Sequence, residues 1–129
     1  RSYENNVKTV ETYFVQSIGE LLNIVNKLEN ELTPNEIKTQ TNIKKEPGLK
    51  NQNTWRLARV YELLGDIEQL KIDFNQIHED RLDIDCLKIV LACYTKASDR
   101  YIRIESHNLY ERTQEKINII KNKMKSLSL

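Results

Sequence analysis

Residues 3–32 read YENNVKTVETYFVQSIGELLNIVNKLENEL, with apolar side chains at Val7, Val10, Phe14, Ile18, Leu21, Val25, Leu28 and Leu32. These intervals of three and four residues match the helical repeat of 3.6, so all eight fall on one stripe, and the spacing predicts a long amphipathic helix over about residues 4–32. Val15, Leu22 and Ile24 widen the stripe beyond the narrow seam of a two-stranded coiled coil. A wide stripe favours packing inside a bundle. A homodimeric coiled-coil module is the alternative, and molecular mass in solution separates the two. Thr33, Pro34 and Asn35 stop the helix, because proline has no N–H to give and clashes with the preceding turn.

Beyond this helix the pattern lapses over residues 33–53 into Asn, Thr, Gln, Lys and a Pro-Gly pair, which reads as a long polar loop. Loops of that length are uncommon in compact domains unless they are functional or disordered, so this one is a candidate contact region. Periodicity returns at Leu57, Val60, Leu64, Ile67, Leu70, Phe74 and Ile77, and Thr54 is the expected N-cap of a helix over about 54–77. Trp55 and Tyr61 lie beside that stripe as expected anchors for the first helix. Asp83 is the expected cap of a third helix over about 83–106 carrying Leu87, Val90, Leu91, Tyr94, Tyr101 and Ile104. A short polar break at residues 106–108 leads into a last helix over about 108–127, with a weaker stripe of Ile117, Ile120, Met124 and Leu127. The expected fold is all-α: a single domain, residues 1–129, forming a bundle of three to five helices, two of them long.

Composition agrees. The 129 residues contain only 3 Gly and 2 Pro, too few for the turns of an all-β protein or the phosphate loop of a dinucleotide-binding fold. Lys and Arg total 20 against 19 Asp and Glu, so a net charge of +1 gives no global field for nucleic acid or an anionic membrane. The longest apolar run, residues 89–94, falls far below the roughly 20 residues that cross a bilayer. Cys86 and Cys93 lie seven apart on one helical pattern, about 10 Å at the helical rise, too far to bridge. Free thiols fit a reducing, nuclear or cytoplasmic setting. Arg1 in place of an initiator Met is expected of an excised fragment or a processed product.

Chemistry-bearing patterns are sparse. His78 and His107 are the two histidines, and neither has the Cys or His neighbours of a zinc site, so no metal and no cofactor is expected. HEPN ribonucleases are small helical bundles with an Arg, four to six residues, then a His, and Arg100 and His107 fit that spacing. In that reading Arg100 holds a phosphate and His107 moves a proton across a dimer interface. A chance pair on a solvated face is the bland alternative, and metal-independent RNA cleavage abolished by His107→Ala separates them. Ile43, Lys44, Lys45 and Glu46 match the apolar-Lys-any-acidic pattern of a SUMO acceptor, making Lys44 a candidate modification site in the loop, against a plain basic loop. Arg112, Lys116, Lys121, Lys123 and Lys125 suggest a local phosphate-contacting strip, but Glu111 and Glu115 dilute it and no aromatic residues interleave, so a solvated helix face is expected.

Residues 82–94, LDIDCLKIVLACY, and then Arg100-Tyr101-Ile102-Arg103-Ile104-Glu105 resemble the helical signature of GINS replication subunits. That signature leads from acidic-apolar alternation into an apolar run ending in Tyr, then an Arg-rich turn closing on Lys-Ile-Glu. The resemblance makes Tyr94 the signature tyrosine, Arg100 one of its arginines, and Arg103, Ile104 and Glu105 its terminal element. From Tyr94 to Glu105 the chain is about two residues longer than the family spacing, a rotation of roughly 200° along a helix. The resemblance implies a protein-interaction scaffold without catalysis: one subunit of a hetero-oligomer in DNA replication, touching protein partners through Tyr94, Arg100, Arg103 and Glu105. It implies no small-molecule substrate, no membrane, and at most local or indirect nucleic-acid contact.

Overall fold

The computed structural model describes residues 2–31, 47–79 and 82–127, so the Thr33-Pro34-Asn35 stop and the candidate acceptor Lys44 lie outside the described residues. Four helices account for nearly all of the described residues, and no strand is present among them: α1 (Ser2–Glu31), α2 (Pro47–Glu79), α3 (Ile84–Arg103) and α4 (His107–Leu127). The chain is an all-α bundle, as its spacing predicts.

Two boundaries differ from expectation. Helix α2 begins at Pro47, seven residues before the expected cap Thr54, so the C-terminal part of the expected 33–53 loop is helical. Proline suits the first turn of a helix, where its missing N–H would have no intrahelical acceptor and its fixed φ is already helical. Read from sequence, the same Pro-Gly pair signals a break. Helix α3 ends at Arg103 instead of reaching residue 106. There the Ser106 N–H bonds the Tyr101 carbonyl at 3.0 Å, and the Glu105 N–H bonds the Ile102 carbonyl at 3.1 Å. This is the Schellman pattern, which needs a left-handed residue at its centre, and Glu105 takes that place with φ 60°. The start of α3 is as expected: the Asp83 carboxylate accepts from the Asp85 N–H at 2.9 Å.

Successive helices run antiparallel. Phe14 meets Phe74 edge-on at 5.7 Å between ring centroids, while the Tyr61 hydroxyl bonds Glu29, so the start of α1 lies against the end of α2. Helix α2 meets α3 with Glu62 at Tyr101 and Asp66 at Tyr94. Helix α4 returns alongside α2 in parallel, pairing Arg112 with Glu62, Lys116 with Asp66 and Lys123 with Asp73.

Two apolar clusters fill the bundle. One joins α1, α2 and α3 through Val25, Leu57, Ala58, Val60, Tyr61, Leu64, Ala97 and Tyr101. The other joins α2, α3 and α4 through Ile72, Leu87, Val90, Tyr94, Ile117 and Ile120. Helix α1 contributes little to either, since Val25 is its one buried side chain among the described residues. At about 1.5–3 kcal/mol for each fully buried aliphatic side chain, the α2–α4 core outweighs the attachment of α1.

Candidate functional site

The most concentrated chemistry lies where α2, α3 and α4 meet, and it follows from spacing on each helix. Glu62 and Asp66 are one turn apart on α2, Tyr94 and Tyr101 two turns apart on α3, and Arg112 and Lys116 one turn apart on α4, so each helix presents its pair on one face. Glu62 is fully buried. Its Oε1 accepts from the Tyr101 hydroxyl at 2.8 Å, from Arg59 Nη1 at 3.2 Å and from Arg112 Nη2. Its Oε2 accepts from Arg112 Nε and from Lys116 Nζ, each at 2.8 Å. One turn along, Asp66 accepts from the Tyr94 hydroxyl at 2.6 Å and from Lys116 at 3.0 and 3.2 Å. Lys116 also lies 5.5 Å from the centre of the Tyr94 ring.

Electrostatics follow from this wiring. Burial pushes the Glu62 carboxyl upward, but the bonds from Arg112, Lys116 and Tyr101 outweigh burial and hold it at about 2, from an ordinary 4.5. The Tyr101 hydroxyl is pushed up to about 12 by burial and by its bond to Glu62. The Arg112 guanidinium is raised by its bond to Glu62. A general base needs an accessible lone pair and a pKa near the working pH; Glu62 has neither. The cluster is suited to locking three helices in one register.

That arrangement corrects the expected solvated basic face of α4. Arg112 and Lys116 turn inward to α2, and Lys123 Nζ stands 3.9 Å from Asp73. Lys121 and Lys125 stay exposed. Trp55, expected to anchor α1, is exposed instead, while Tyr61 does anchor it, its hydroxyl on Glu29 and its own pKa pushed up to about 12 by burial and that bond.

The sequence-derived candidates lie apart. Tyr94 is buried inside the cluster. Arg100 donates to the Lys96 carbonyl at 3.0 Å, sits 4.8 Å from the centre of the Tyr61 ring, and has Nη2 4.0 Å from Glu29. Its guanidinium is therefore turned toward α1 and α2. His107 is exposed at the start of α4 and lines an open depression with Glu105, Ser106, Asn108 and Leu109. Arg103 and Glu105 are exposed at the α3–α4 turn. Cys86 and Cys93 are free and half-buried, and burial pushes the Cys93 thiol up to about 11. Among the described residues no group of three or more His, Cys, Asp or Glu side chains is placed to hold a metal ion. Among them, too, no helix is long and apolar enough to cross a membrane.

A second feature is apolar surface. Along α1, Val15 and Leu22 stand one heptad apart on one side of the packed stripe, and Tyr13 and Ile24 on the other, all between 44% and 68% exposed. Val15, Leu22 and Ile24, expected to widen the packed stripe, are exposed instead: α2 and α3 cover only its centre.

Comparison with known proteins adds no relative: no family model, no curated protein and no solved structure matches the chain.

Proposed function

We propose that this chain is a non-enzymatic scaffold subunit that binds protein partners through α1, in a nuclear or cytoplasmic complex. The carrying observation is the set of exposed apolar side chains that flank the packed stripe of α1, Val15 and Leu22 on one side and Tyr13 and Ile24 on the other, because large apolar side chains grouped on an exposed helix face mark an interaction site. The internal chemistry supports the same reading, since the strongest titratable cluster has its carboxylate saturated by structural donors. GINS-like replication scaffolding is its most specific form, and it rests on the resemblance of residues 82–94 and 100–105.

The test is affinity recovery from cells of the chain's source, with light scattering on the purified protein. The wild-type chain is expected to recover replication subunits, and the double variant Val15→Lys/Leu22→Lys to lose them at least tenfold while melting normally, both side chains being exposed. A purified chain that stays a stable monomer and recovers no replication protein would end the GINS-like form.

A further inference from the structure

Around Glu62 the positive charge exceeds the negative. Arg59, Arg112 and Lys116 converge on Glu62 and Asp66, three cations on two carboxylates, leaving one positive charge uncompensated within the cluster. Arg59 and Arg112 share the same acceptor, Glu62 Oε1, so their guanidiniums lie side by side at the seam between α2 and α4, each side chain 41% exposed. Arg59 bonds the carboxylate through Nη1 alone, and Arg112 through Nε and Nη2. Both guanidiniums keep N–H groups that Glu62 does not take, and Arg112 also bonds Tyr101. One turn before Arg59 on the same helix face stands Trp55, 43% exposed and the single tryptophan of the chain.

We propose that this edge is a second docking site, and that Arg59 and Arg112 receive a carboxylate from an acidic segment of a protein partner while Trp55 packs on an apolar residue beside it. The buried Glu62 holds both arginines in place before any ligand arrives, so little side-chain freedom is lost on binding. A planar carboxylate matches the forked donors of a guanidinium. Trp and Arg together are the side chains that dominate binding at protein interfaces. The charge along the seam favours a short acidic segment over a nucleic acid: Asp66 and Asp73 are partly exposed there and Glu111 and Glu115 are exposed beside Arg112, and together they oppose a run of phosphates. The inference rests on the reading that the chain works through protein partners, but it uses a surface other than α1.

Trp55 makes the test direct, because its fluorescence reports on this edge alone. The full chain is titrated with the capped peptide Ser-Asp-Leu-Glu-Phe-Ser and with its Asn/Gln counterpart, followed by Trp55 emission and by calorimetry. The acidic peptide is expected to bind saturably in the low-millimolar range or tighter, at least tenfold better than the neutral one. Arg59→Ala is expected to weaken it about fivefold with helicity and melting unchanged, because four other donor contacts still hold Glu62. The proposal is overturned by no saturable binding, by equal binding of the two peptides, by an unaltered affinity in Arg59→Ala, or by a single-stranded oligonucleotide that binds more tightly and displaces the peptide. Loss of recovery in the α1 variant depends on none of these results, so each reading fails separately.

Discussion

Taking a carboxylate out of water costs several kcal/mol unless charge and hydrogen bonds replace the lost solvent, and at Glu62 they do so from three helices. The replacement carries a pH signature. The folded carboxyl sits at about 2 and the ordinary value is 4.5, so between those limits the unfolded chain binds a proton that the folded chain does not. The stabilisation is therefore complete above pH 4.5 and is lost as pH falls toward 2, about 3 kcal/mol over the full window. Thermal unfolding from pH 7 to pH 2.5 is expected to show that loss, and Glu62→Gln to cost about 3 kcal/mol at pH 7 while flattening the acid limb. An equally steep acid limb in the variant would assign it to other carboxylates. Glu105 presents the opposite case, a residue the backbone would exchange. Its left-handed φ of 60° is costly for any side chain with a Cβ. Glu105→Gly is expected to raise stability by about 1 kcal/mol, read as a melting temperature a few degrees higher; a lower one would mean that the carboxylate makes a compensating contact. Of these features the sequence shows Tyr94 and Tyr101 as one core stripe, because apolar spacing is local. It does not show that Glu62 is buried, since its partners Arg112 and Lys116 are 50 and 54 positions away. One signal was available: acidic and basic pairs at equal one-turn spacing on α2 and α4, with tyrosines at two-turn spacing between them.

Helices report themselves when their polar residues face water, and α2 is the least regular here because it does not keep that rule. Glu62 and Glu68 are buried, while Trp55, Leu70 and Ile77 are exposed. Its heptad-like run still locates it, but its start at Pro47 was hidden by a Pro-Gly pair that reads equally as a turn or as a first helical turn. Gly65 is a helical glycine whose reason lies in the neighbouring helix. A Cβ there would come within 2.5 Å of Tyr94 Cε1 and 2.7 Å of Cδ1. The ring cannot retreat easily, because its hydroxyl is tied to Asp66 and Lys116 lies over its face. Gly65→Ala is thus expected to destabilise by about 1–3 kcal/mol through overpacking, against the roughly 1 kcal/mol that alanine gains in a helix. Gly19 on α1 supplies the control, since nothing lies within 4 Å of its added Cβ. Gly19→Ala is expected to stabilise by about 0.5–1 kcal/mol. If both substitutions stabilise, the close approach of α2 to the Tyr94 ring is not what fixes glycine at 65.

At the scale of the molecule the helices are unequally held. Helices α2, α3 and α4 share an apolar cluster and are closed on one side by the parallel series Glu62–Arg112, Asp66–Lys116 and Asp73–Lys123. Helix α1 joins them through Val25 and partly buried Ile18, Leu21 and Leu28 in its C-terminal half. Its N-terminal half is held by Phe14 on Phe74 and by Tyr3, whose hydroxyl bonds His78. Segments with few buried apolar contacts open at lower free energy than the whole, so amide exchange over the first three turns of α1 is expected to be at least tenfold faster than in the buried middle of α3. Phe14→Ala should speed it further, whereas Val15→Lys/Leu22→Lys should leave it nearly unchanged because those side chains are exposed. A partner seated on the α1 flanks binds only the closed form, and so slows exchange in α1 in proportion to its occupancy. Exchange in α1 as slow as in α3 would place all four helices in one cooperative unit. The flanks would then belong to a rigid platform, and binding would slow exchange in α1 and α3 alike.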